Sequence, residues 1–101
     1  MSFPARLPQP ECEDRMAKHF IYFYFMKKDA EMIRQVAPSH AEYWKTRGLS
    51  QYMGGPFSDH LGGLISFETA SLDQAIELVE ADPFVRGDLL EAKWVREWMP
   101  E

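Results

Sequence analysis

The sequence is poor in several things that would have decided its class. There is one cysteine, Cys12, so no intrachain disulfide can form. Cys12 has no second Cys or nearby His to build a metal site and reads as an exposed thiol. No apolar run approaches the ~20 residues of a membrane span, and the first residues lack the apolar segment of a secretory signal. A cytoplasmic protein without a membrane partner is expected. Basic residues are outnumbered: 11 Lys and Arg against 16 Asp and Glu give a net charge of −5. That balance argues against nucleic acid, because phosphate binding needs a clustered cationic excess, and against an anionic membrane surface.

The chain is rich in core material. Hydrophobic residues make up 46% of its 101 residues and aromatics 14%, which excludes a disordered chain and suits a single domain. Residues 1–17, with three prolines and several acidic residues, read as a disordered leader, and residues 18–101 as one α+β domain. Met16 directly precedes the first strand and is a candidate alternative start.

His19–Met26 is a strand whose two alternating faces are both apolar or aromatic. Ala30–Val36 carries Met32, Ile33 and Val36 at helical spacing, and Pro38 then interrupts. A proline at the first helical position predicts a new or kinked helix over Pro38–Arg47, with Gly48 after it. Leu49–Met53 is a short strand broken by Gly54-Gly55-Pro56, and Gly62–Glu68 returns as the second arm of a long-looped hairpin. Ser71 and Gln74 have capping-box spacing, and Leu72, Ala75, Ile76 and Val79 form one stripe predicted to be buried. Asp82-Pro83 stops that helix. Phe84–Gly87 is a turn or single helical turn, and Leu89–Trp98 is the last strand, with Leu90, Ala92, Trp94 and Trp98 on one face.

The order is βαββαβ, a ferredoxin-like α+β fold: a four-stranded antiparallel sheet with two helices on one face. Two helices cover only one face. The other would expose aromatics from the first and last strands, a patch larger than monomers usually carry. Packing against a second copy removes it, so a homodimer is expected.

His40 is the leading chemical candidate. With Pro38 at the first helical position it falls in the first turn, near the positive end of the helix dipole, with Tyr43, Trp44 and Arg47 following on its side. Asp82 before Pro83 has the form of an N-cap, and its second oxygen is free to orient an imidazole. Asp59-His60 reads as a solvated turn, and His19, His40 and His60 lack metal-ligand spacing. Gly54-Gly55-Pro56 has no phosphate-loop pattern, and no nucleophile elbow is present.

The strand His19–Met26, Pro38-Ser39-His40, Gly55-Pro56 and Ala81-Asp82-Pro83-Phe84, in this order, resembles the YCII-related (YciI-like) family over about residues 18–98. The resemblance implies a dimeric α+β barrel like that of muconolactone isomerases. It also implies a pocket in which His40 and Asp82 form a catalytic pair, and one branch of the family is linked to dehydrochlorination of chlorinated hydroxyhydroquinones. Where the family often has a basic residue before Pro-x-His, this chain has Ala37, and Arg34 or Arg47 are the candidate substitutes for an anion contact. The expected activity is a cofactor-free lyase or isomerase acting on a small aromatic or unsaturated acid or phenol. Tyr22, Tyr43, Gly55, Pro56 and Phe57 are the expected substrate contacts, with no metal. A non-catalytic small-ligand-binding homodimer and a cofactor-free monooxygenase are the alternatives.

Overall fold

The computed structural model describes residues 17–101, so the expected leader, with Cys12 and Met16, falls outside the described residues except for Ala17. Four strands form one antiparallel sheet: β1 (Lys18–Met26), β2 (Ser50–Pro56), β3 (Gly62–Thr69) and β4 (Leu90–Glu97). Their spatial order is β2-β3-β1-β4. The helices α1 (Ala30–Lys45), α2 (Leu72–Glu80) and the single turn α3 (Pro83–Arg86) complete the ferredoxin-like βαββαβ order. Among the described residues no helix is long and apolar enough to cross a membrane.

β1 lies at the centre and its two faces have different fates. Phe20, Tyr22 and Tyr24 point under the helices and are buried with Ile65, Phe67, Trp44, Val79 and Phe84. Ile21, Phe23 and Phe25 point the other way, because successive strand residues alternate faces. On that open face Phe23 stacks on Trp94, with ring centroids 5.2 Å apart, and Phe25 meets Trp94 edge-on and Phe57 at 5.7 Å. Among the described residues no helix covers these rings, and Phe25, Trp94 and Trp98 are 40–46% exposed.

Four expectations need correction. α1 is one continuous helix with Pro38 inside it, capped by the Asp29 side chain. Pro38 has no N–H to offer the Arg34 carbonyl, but both residues are exposed, so water can take that carbonyl and the helix need not break. β2 runs through Gly54-Gly55-Pro56, because these residues pair with Ile65, Leu64 and Gly63 of β3. On α2 only Ala75 and Val79 are buried, while Leu72 and Ile76 stand 45% and 40% exposed. On β4 a bulge shifts the register: Phe25 opposes Ala92 but Met26 opposes Leu90. Glu91 is the extra residue, so Leu90 turns to the helix face and parts company with Ala92, Trp94 and Trp98.

Candidate active site

Asp82 is fully buried and is the N-cap of α3, with Pro83 at the first helical position. The Phe84 N–H donates to its Oδ1 at 2.8 Å. Three side chains complete the shell: Nδ1 of His40 reaches the same Oδ1 at 2.8 Å, and the Tyr22 hydroxyl and Trp44 Nε1 donate to Oδ2 at 2.9 and 3.1 Å. A carboxylate has about four lone-pair sites, and here all four are used by donors. That is the condition under which burying a charged group is tolerable.

The local sequence explains the convergence. His40 and Trp44 are four apart on α1, so they sit one above the other and both reach the carboxylate. Tyr22 and Tyr24 are two apart on β1 and share its helix face, with ring centroids 5.0 Å apart. Tyr22 donates to Asp82, and Tyr24 stands beside the imidazole. Burial first, and the Asp82 charge second, push the Tyr22 hydroxyl well above the ordinary tyrosine value, so it stays a donor. Tyr24 is raised by the same two causes in the same order.

Because Asp82 can only accept, Nδ1 of His40 carries the proton and Nε2 is left for other chemistry. Nε2 lies 3.3 Å from the Tyr24 hydroxyl, a contact long enough to be exchanged for a ligand. The imidazole is stacked on Phe84 at 4.1 Å between centroids, which fixes its plane. His40 does not lie in the first turn of its helix, as Pro38 suggested, but well inside it, so the dipole at the helix start is not what conditions it.

His40, Tyr24 and Phe84 line a cleft of about 450 Å³ between α1 and the β2 side of the sheet. This is within the range of about 300–1,000 Å³ usual for small-molecule sites. Ile33, Ala37, Ala41 and Lys45, spaced four apart on α1, form one wall, and Tyr52, Gly54, Gly55 and Pro56 form the other. Small residues on both walls leave the space: on β2, a Cβ at Gly54 would come within 3.0 Å of Ile65 Cγ1 and 3.2 Å of the Tyr52 hydroxyl. Met26 and His60 lie at the end near the hairpin loop. Among the described residues no cluster of three or more His, Cys, Asp or Glu could hold a metal.

Of the expected site residues, His40 and Asp82 are hydrogen-bonded, and Gly55 and Pro56 line the cleft. Tyr22 lies behind the cleft, bonded to Asp82. The Tyr43 hydroxyl donates to the Leu78 carbonyl, which turns its ring away from the cleft. Phe57 packs on Phe25 instead. Arg47 sits over the Tyr43 ring at 4.6 Å and is also outside the cleft, as is Arg34. The sequence reading missed Tyr24, Phe84 and Lys45 as cleft residues. The two-residue spacing from Tyr22 to Tyr24, and the four-residue steps from Ala37 to Lys45, were the available signals.

The profile of the YCII-related domain matches residues 17–99. No curated protein matches the chain. Among solved structures, the chain is similar to 5-chloro-2-hydroxyhydroquinone dehydrochlorinase (TftG) from Burkholderia phenoliruptrix AC1100, solved with 2,5-dihydroxybenzoquinone. The identity is 23% and the TM-score 0.70, over 80% of this chain and 93% of that one. It is also similar to Rv0793 from Mycobacterium tuberculosis, at 14% identity and TM-score 0.53 over 84% and 95% of the two chains. SnoaB, a cofactor-independent oxygenase from Streptomyces nogalater, matches at 10% identity and TM-score 0.51 over 84% and 93%. At these identities the likenesses establish the α+β barrel fold.

Proposed function

From the premise that the chain belongs to the YCII-related domain family, we propose that it is a cofactor-free acid–base enzyme of the lyase or isomerase type. Its substrate is a small aromatic or unsaturated acid or phenol, and two copies pair through the open face of the sheet. The observation that carries the reading is the His40–Asp82 hydrogen bond of 2.8 Å, which leaves Nε2 at the cleft wall beside the Tyr24 hydroxyl. Isomerisation, or loss of HX, moves a proton and an electron pair within the substrate, so a positioned base and acid suffice.

In this reading Nε2 removes a proton from the substrate, and Asp82 holds the ring and stabilises the imidazolium that forms. Asp82 keeps its own carboxylate charge, since four donors already stabilise it. The Tyr24 hydroxyl, kept protonated by burial, donates to oxygen on which charge develops. The apolar wall, including Ile65 and Phe84, holds one ring.

The dehydrochlorinase likeness supplies the first substrate to try. With 5-chloro-2-hydroxyhydroquinone under anaerobic conditions, the protein is expected to release chloride, and His40→Ala to lower the rate by about 10²–10⁴. His40→Ala with the full rate would overturn the role of His40. Binding without chloride release, and without solvent deuterium entering the substrate, would favour the non-catalytic binder. Oxygen uptake with a quinol would favour the oxygenase.

A further inference from the structure

We propose that Lys45 docks the anionic group of a one-ring substrate, so that the site selects carboxylates or phenolates over their neutral counterparts. The proposal rests on the cleft being the ligand site, as argued above, and names which ligands it takes.

The chain is acidic overall, yet among the described residues no Asp or Glu lines the cleft. The Asp82 carboxylate is behind His40 and is consumed by four donors. Lys45 therefore supplies the fixed charge of the lining, and that charge is positive. Among the described residues Lys45 has no ion-pair partner, whereas Lys27 and Lys93 are engaged by Asp88 and Glu80. Its place in the last turn also suits the helix dipole, but the dipole would be served from any face of the helix. This lysine stands on the Ile33-Ala37-Ala41 ridge, which makes it part of the wall.

The spacing sets the ligand's size. His40 and Lys45 are five residues apart, or about 7.5 Å along the axis at ~1.5 Å per residue. The flexible lysine stem shortens that reach. One ring with its anionic group toward Lys45 puts the opposite edge under Nε2. The small side chains of Ala37 and Ala41 leave room for the ring between the two ends.

Benzoate and benzamide share a shape and differ in charge, so they isolate the effect. Titrating each into 15N-labelled protein and following the amide shifts, benzoate is expected to bind about fivefold tighter or more. The shifts should centre on Ala37, Ala41, Gly54 and Gly55, and the preference should shrink at high salt. Lys45→Met, which keeps an apolar stem, should abolish the preference, and Lys45→Arg should retain it. Arg47→Met removes an equal charge outside the cleft and should leave it unchanged. The acid–base reading fails separately: a His40→Gln protein with full turnover would sink that reading and leave the benzoate preference standing. Equal affinities, a preference that survives Lys45→Met, or no shift with either compound would overturn the role of Lys45.

Discussion

Nδ1 of His40 donates to Oδ1 of Asp82 across 2.8 Å, although 42 positions separate the two residues in the chain. The bond ties the middle of α1 to the start of α3, and the same carboxylate ties both to β1 through Tyr22. Fold and site thus share one group. Asp82→Asn keeps the shape but puts an NH₂ where an acceptor stood, so at least one of four donors faces a donor. The expected loss is about 1–3 kcal/mol, and each kcal/mol lowers Tm by about 4–8 °C in a domain of this size. His40→Gln breaks one of the four contacts and should cost less than Asp82→Asn. Urea unfolding of the two variants tests this. An Asp82→Asn protein with the wild-type midpoint would show that the carboxylate is not structural.

The Tyr24 hydroxyl owes its position to Gly63, its partner across β1 and β3. A Cβ at Gly63 would come within 2.5 Å of that hydroxyl and 2.8 Å of the Gly55 carbonyl. Gly63→Ala should therefore displace the Tyr24 ring, or part β2 from β3, and impair the cleft without touching His40. Tyr24→Phe removes only the hydroxyl. It should leave stability nearly unchanged, since the contact to Nε2 is long at 3.3 Å. In the proposed reaction it should lower turnover by about 10²-fold or more, the loss usual for an oxyanion donor. Unaltered turnover in Tyr24→Phe would remove the hydroxyl from the mechanism.

Tyr22 and Tyr24 also make a statement about alkali. Both hydroxyls are held above the ordinary tyrosine value of 10.0, burial being the larger cause and Asp82 the next. Above about pH 10 the unfolded chain has released these protons while the folded chain retains them, so the unfolded state binds fewer protons and stability falls as pH rises. Below pH 10 the contribution is fully present. The slope is about 1.4 kcal/mol per pH unit for each tyrosine. Tyr43 and Tyr52, raised chiefly by burial, add slopes of the same sign. Urea midpoints measured from pH 9 to 11 should fall, and less steeply in Tyr22→Phe. A flat profile would mean that these hydroxyls ionise freely.

Much of this was legible in the sequence because the relevant signals are local. The apolar density of His19–Met26, the Ser71–Gln74 spacing and Asp82-Pro83 each predict an element or a cap that the structure contains. Failures came where tertiary context decides. Pro38 looks like a helix start, but an exposed position lets α1 run through it. Gly54-Gly55-Pro56 looks like a breaker, but pairing to β3 holds it extended. In the candidate site, His40 and Asp82 stood out by residue type. Which of two neighbouring tyrosines meets the cleft depends on how far each reaches past the sheet, and the sequence does not carry that. Tyr22 turned inward to the carboxylate, and Tyr24 took the place expected for it.

The open face of the sheet gives the last prediction. Phe23, Phe25, Trp94 and Trp98 share it with Ile21, and among the described residues no element covers them. Aromatic side chains bury about 150–250 Å² each, so four of them left partly wet forgo a substantial part of the stabilisation available to a small domain. A second copy with the same face supplies matching apolar surface by two-fold symmetry. Trp94 suits the test because it is 41% exposed, so a charge there is tolerated by one copy alone but not between two. In sedimentation at micromolar concentration the wild-type chain is expected as a dimer and Trp94→Glu as a monomer with an unchanged far-UV spectrum. The substitution also leaves the His40–Asp82 bond in place, since Trp94 and the cleft lie on opposite sides of the sheet. A wild-type chain that sediments as a single copy at those concentrations would require another cover for this face.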